Sequence, residues 1–101
     1  MSDKDRTFAI IGLGAFGGTV ATELARFGNH VLGIDMDERQ AARLVDELAE
    51  VRIADGTDEA ALREIGLAHY DVVVIGTGRD LQASILATMH ATVLGVPQIW
   101  V

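Results

Sequence analysis

Short apolar runs alternate with longer stretches of three- and four-residue periodicity along this chain. Thr7–Ile11 is brief, apolar and bounded by glycine, which predicts a buried strand. Residues 15–27 predict a helix whose inward face is Val20, Leu24 and Phe27, with Gly28 and Asn29 as the stop. His30–Asp35 is a second strand. Asp37 then offers an N-cap with Gln40 three places on, in the manner of a capping box, and Ala41, Leu44, Val45 and Leu48 form an apolar stripe. The opposite face, with Glu38, Arg39, Arg43, Asp46, Glu47 and Glu50, reads as solvated surface. Residues 51–54 predict a third strand, 58–65 a short helix ended by Gly66, and 71–75 a fourth strand. In that fourth strand Val72, Val73 and Val74 are apolar without alternation, as a strand covered on both faces requires. Residues 80–94 predict a last helix closed by Gly95 and Pro97, and a fifth strand begins at Gln98.

Strict alternation of strand and helix calls for an α/β fold: a Rossmann-like, doubly wound parallel sheet of order 3-2-1-4-5 with helices on both faces. Neither repeats nor linkers interrupt it. The whole chain, 1–101, reads as one nucleotide-binding domain. Because 98–101 would leave an open apolar edge, it is expected to be a fragment of a longer protein, cut after the fifth strand.

Composition narrows the chemistry. Half of the 101 residues are hydrophobic and 23% are charged, as in a globular chain, and cysteine is absent. The lack of thiols suits a cytoplasmic setting and removes thiol catalysis. A net charge of −7 without clustered Lys or Arg argues against nucleic acid as a partner. The opening 1–6 is polar and no apolar run nears ~18 residues, so neither signal peptide nor direct membrane insertion is expected, and any membrane connection must come through a partner.

Between the first strand and the first helix stands Gly12-Leu13-Gly14-Ala15-Phe16-Gly17, a GxGxxG pattern in its required context. Gly12 permits the tight turn, Gly14 the approach of a pyrophosphate, and Gly17 the contact of helix with strand. Amides from Ala15 and Phe16 onward would face phosphate with the positive end of the helix dipole behind them. Asp35 follows Gly14 by about 20 positions, the spacing of a ribose-binding carboxylate. Such a carboxylate disfavours NADP against NAD, ATP, ADP or AMP; otherwise Asp35 is a strand-end acid. Met36 and Asp37 would border the adenosine, Asp37 serving equally as a pure N-cap. Asp55, Gly56 and Thr57 either face the adenine or form an ordinary turn with Thr57 as cap. Thr77 and Gly78 close the crevice from the fourth strand, while Arg79 either reaches phosphate or, the favoured reading, stands in solvent. His30, His69 and His90 have no spacing that makes a metal site or a general base, and read as structural. Binding without chemistry fits this set better than catalysis; the alternative is the cofactor-binding half of an NAD-dependent oxidoreductase whose substrate domain lies elsewhere.

The segments that carry a resemblance are 9–17, 31–35, the Ala-Asp-Gly-Thr loop at 54–57, 71–75, the Asp-Leu-Gln-Ala-Ser helix start at 80–84, and Pro-Gln-Ile-Trp-Val at 97–101. Together they resemble the N-terminal nucleotide-binding domain of the RCK, KTN or TrkA-N family, regulators of potassium channels and transporters. The resemblance implies a non-catalytic regulatory subunit that binds ATP, ADP or NAD(H). It also implies homodimers or higher rings, and a cytoplasmic position beneath a membrane-embedded potassium transporter or channel subunit. Members of the family often carry Arg where this chain has Ala15, which leaves the choice between ATP and ADP open. On helix 80–94, Leu81, Ile85, Met89 and Val93 make one apolar face and Ala83, Ala87 and Ala91 a small-residue ridge. That ridge suits either a second subunit or the domain's own sheet.

Overall fold

A computed structural model describes residues 6–101, so the polar opening 1–5 lies outside the described residues. Five strands, β1 (Thr7–Ile11), β2 (His30–Asp35), β3 (Glu50–Ile53), β4 (Val72–Ile75) and β5 (Gln98–Trp100), form one sheet in the order β3-β2-β1-β4-β5. Each pairing between neighbours is parallel. Helices α1 (Ala15–Arg26), α2 (Glu38–Leu44), α3 (Glu59–Ile65) and α4 (Leu81–Leu94) connect them, with a 3-10 turn at Leu67–His69 before β4.

Alternate residues of the strands feed two separate cores, as the two-residue strand period dictates. Ala9, Ile11, Leu32, Ile34, Val73 and Ile75 pack with Leu62 of α3 and with Ala87 and Ala91 of α4. Phe8, Ile10, Val31, Val72 and Val74 pack on the other face with Ala21 of α1 and Leu44 of α2. Both faces of β4 are therefore covered, which is why its sequence shows no alternation. Register levels the strand ends: Ile11 lies opposite Ile34 on one side and Ile75 on the other, so the loops after β1, β2 and β4 open at one edge.

Helix limits follow local chemistry. The Asp37, Asp58 and Asp80 carboxylates accept amides of the first turns of α2, α3 and α4, and Gly66 and Gly95 stop α3 and α4 in the left-handed conformation at φ 83° and 87°. Thr57 is thus not the cap of α3; Asp58 is. The capping box expected at α2 does not form either, because the Gln40 side-chain oxygen accepts instead from Arg43 at 2.6 Å. Helix α2 ends at Leu44, so Val45 turns outward while Leu48 folds back into the core. Phe27 was expected inward but is 69% exposed, because α1 stops one residue earlier and Phe27 sits beyond its last turn.

At the opposite edge of the sheet, Asp71 joins β4 to β1. Its Oδ2 accepts from the Thr7 amide at 2.9 Å and the Thr7 hydroxyl at 3.1 Å. These bonds, the backbone one foremost, hold the Asp71 pKa below the ordinary 3.8. A carboxylate with a depressed folded pKa contributes stability that is present above its unfolded value and is lost as pH falls through the folded one. Melting curves taken from about pH 6 down to about pH 2 should therefore show an acid limb that is shallower in Asp71→Asn than in the wild type. Parallel limbs would contradict this role for the carboxylate.

Candidate functional site

At the point where strand order reverses, between β1 and β4, the sheet edge opens into a crevice of about 730 Å³. Gly12, Gly14, Ala15 and Phe16 form its floor after β1, and Asp35, Met36 and Asp37 border it after β2. Asp55, Gly56 and Thr57 border it after β3, and Thr77 and Gly78 after β4. Every residue expected at the site therefore lines the crevice except Gly17, which is buried beneath the loop. Arg79, expected in solvent, is exposed but stands on the crevice rim.

The glycines divide by what a side chain would meet. A Cβ on Gly17 would lie 1.8 Å from the Gly12 carbonyl oxygen, and one on Gly12, where φ is 96°, would lie 2.6 Å from the Gly76 oxygen. Both are required by close backbone packing. Gly14 has φ −72° and ψ −156°, allowed to any residue, and a Cβ there meets nothing within 4 Å. The fold itself does not ask for glycine at 14. Gly14 is also the N-cap of α1, where no side chain takes up the first-turn amides, in contrast to the three Asp-capped helices.

Asp35 has two duties. Its Oδ2 accepts the Leu13 amide and its Oδ1 the Asp37 amide, each at 2.8 Å, so the carboxylate staples the glycine loop to the end of β2. Lone pairs on both oxygens remain free of protein donors among these bonds. The strand-end reading is the one these bonds show. Asp35→Ala should lower stability by about 2 kcal/mol, because two amides lose a charged acceptor; urea denaturation without nucleotide measures it, and an unchanged midpoint would contradict the staple.

Asp55 forms a local turn: its Oδ1 accepts the Thr57 hydroxyl at 2.7 Å and the Thr57 amide at 2.8 Å, and these bonds hold its pKa below the ordinary carboxylate value. Gly56 is forced, since a Cβ would lie 2.3 Å from Ile11 Cγ2. The loop is braced from behind by His90, whose Nε2 lies 2.9 Å from the Thr57 carbonyl oxygen. A carbonyl only accepts, so Nε2 carries the proton in this bond. Nothing in the sequence spacing ties position 90 to position 57; only the packing of α4 beside α3 does. Thr77 Oγ1 is buried at the crevice wall without a hydrogen-bond partner, a group that costs free energy until it is satisfied.

Four carboxylates, Asp35, Asp37, Asp55 and Asp80, border the crevice against one guanidinium, Arg79. An anion here would depend on backbone amides more than on side-chain charge. Among the described residues no group of three or more His, Asp or Glu is placed to hold a metal ion, and no helix is long and apolar enough to cross a membrane.

A family model described as the TrkA-N domain matches residues 8–101. The chain is 40% identical to Ktr system potassium uptake protein A of Vibrio alginolyticus over 101 residues, which is 100% of this chain and 46% of that protein. It is 37% identical to Ktr system potassium uptake protein A of Bacillus subtilis over 98 residues, 97% of this chain and 44% of the relative. It thus spans less than half the length of both relatives. Among solved structures it resembles N5-carboxyaminoimidazole synthetase from Staphylococcus aureus complexed with ADP, with TM-score 0.58 and 31% identity over 69% of this chain and 18% of that one.

Proposed function

The chain belongs to the TrkA-N domain family, and from that premise we propose that it is the nucleotide-binding part of a regulatory subunit of a potassium uptake system. It holds an adenine nucleotide, ADP, ATP or NAD(H), in the crevice without transforming it. Gly14 carries this reading: it is a glycine that neither backbone conformation nor packing requires, set at the uncapped start of α1. A bound phosphate explains both facts, since it needs the space of the missing side chain and the free amides. Asp35 would receive the ribose hydroxyls and repel a 2′-phosphate, which disfavours NADP. A solved structure that this chain resembles over 18% of that structure's length is described as complexed with ADP. Calorimetric titration with ADP, ATP, NADH and NADPH tests the reading: one of the first three should bind more tightly than NADPH, and no binding of any at millimolar concentration would overturn it.

Self-association belongs to the same proposal. Helix α4 has no Asp, Glu, Lys or Arg, and its small ridge lies against the sheet with Ala87 and Ala91 buried. The larger side chains face outward instead: Leu81 is 71% exposed, Ile85 50%, Met89 56% and Val93 70%. A helix that leaves a face of large apolar side chains uncovered is suited to further burial, and a second copy of the chain fits this face. A charge-free seam lets two strongly acidic molecules meet without repulsion across it. The potassium transporter would be contacted through such an assembly. Met89→Glu should weaken self-association by at least about tenfold while leaving the melting temperature within a few degrees, since the side chain is exposed. Sedimentation velocity reads this, and an unchanged mass distribution would remove α4 from the interface.

A further inference from the structure

We propose that Arg43, on the last turn of α2, is the positioning residue that aims the Gly14 amide into the crevice, and so sets affinity for the phosphate portion of a ligand. The inference rests on the nucleotide reading of the site and adds a residue to it. Arg43 Nη2 donates to the Leu13 carbonyl oxygen at 3.1 Å, and the same nitrogen donates to Gln40 Oε1 at 2.6 Å, which steadies the guanidinium. The other side of the Leu13 residue is held as firmly. Its amide donates to Asp35 Oδ2 at 2.8 Å, and its side chain is fully buried against Gly33, where an added Cβ would come within 3.0 Å of both Leu13 methyl carbons.

Orientation follows from peptide geometry. Every peptide bond among the described residues is trans, and in a trans peptide the carbonyl of one residue and the amide of the next point in opposite directions. A Leu13 carbonyl drawn toward Arg43 therefore turns the Gly14 N–H away from α2. Gly14 and Ala15 border both the main crevice and a shallow depression behind the loop, and Arg43 lines only the depression. Away from Arg43 is toward the crevice. The guanidinium also lies behind the loop as a fixed positive charge in a neighbourhood otherwise rich in carboxylates, so it favours an anion on the far side of the same peptide.

Arg43 is exposed, so trimming it leaves the cores intact. The test compares the wild type, Arg43→Met and Arg43→Lys by titration with ADP and with adenosine, alongside the ¹H–¹⁵N resonance of Gly14 in ligand-free protein. Arg43→Met should weaken ADP by about tenfold, the scale of one hydrogen bond to a charged group. Adenosine, which has no phosphate, should bind as before, and the Gly14 resonance should move. Arg43→Lys should recover part of the ADP affinity, because an ammonium can donate to the same carbonyl. Equal losses for ADP and adenosine would mean a merely structural role and would overturn the proposal, as would an unmoved Gly14 resonance. Should the wild type bind neither ligand, the nucleotide reading falls by itself, and the Gly14 resonance still decides whether Arg43 orients that peptide.

Discussion

Gly17→Ala should destabilise the domain by about 4 kcal/mol, more than the ~1–3 kcal/mol typical of overpacking, because nothing near the new methyl group can yield. Its Cβ would stand 1.8 Å from the Gly12 oxygen and 3.2 Å from the Gly76 oxygen, and both are backbone atoms. Those atoms are not free to retreat. Gly12 donates its amide to the Ile34 carbonyl at 2.8 Å, and Gly76 donates to the Ile11 carbonyl at 2.7 Å. Gly76 is itself pressed on Gly17, where its own Cβ would come within 2.8 Å of the Gly17 Cα. Three glycines thus pack the ends of β1 and β4 directly on the start of α1, and one methyl group must separate all three elements. For a domain near 100 residues the loss corresponds to roughly 20 °C in melting temperature. Thermal denaturation without ligand measures it, and a change below about 1 kcal/mol would show that the loop has slack its geometry denies.

Gly14→Ser should have the reverse signature: nucleotide affinity falls by about 100-fold, or ~2.7 kcal/mol, while stability holds or rises by a few tenths of a kcal/mol. Serine tolerates the extended conformation at this position, finds open space for its Cβ, and is a better N-cap than glycine. The same hydroxyl that caps α1 takes amides that phosphate would otherwise use, and its bulk occupies the approach. Calorimetry with ADP beside a melting curve reads both quantities. If affinity survives, Gly14 has no part in phosphate recognition and the proposed function loses its main support; if stability falls sharply, glycine at 14 is a requirement of the fold after all.

The two substitutions show how differently legible the glycine motif is at its separate positions. The sequence pattern marks Gly12, Gly14 and Gly17 alike, and it correctly anticipates that the fold needs Gly17 for contact of helix with strand. Only in three dimensions is Gly17 shut away from the crevice and Gly14 free of any packing demand. Asp35 was equally visible from its spacing, yet its bonds to Leu13 and Asp37 were not, since a carboxylate's partners depend on where a loop 22 residues earlier returns in space. Arg43 offered no signal beyond a charge on a solvated face. Its role arises because α2 passes behind the glycine loop. His90 likewise read as structural, and its bond to Thr57 brings a residue 33 positions away to the crevice loop.

Helix faces carried a similar lesson. The period of α4 showed an apolar stripe and a small-residue ridge, but not which would meet the sheet; close approach of helix to sheet favours small side chains, so Ala87 and Ala91 went in and Leu81 and Val93 stayed out. For Phe27 and Val45, an error of one residue and of about one turn, respectively, in where the helix ends changed an inward residue to an outward one.

From the sequence alone came the order of strands and helices, most of their limits, the parallel sheet and the edge at which the loops gather. These are determined locally, by the two periods of side-chain direction, by caps within three residues of a helix start, and by glycines that must take left-handed backbone. Tertiary structure decided which glycine is free, which carboxylate is already occupied and which guanidinium stands behind the loop. Each of those depends on atoms distant in the chain and adjacent in space, where a displacement of about an ångström separates a hydrogen bond from none.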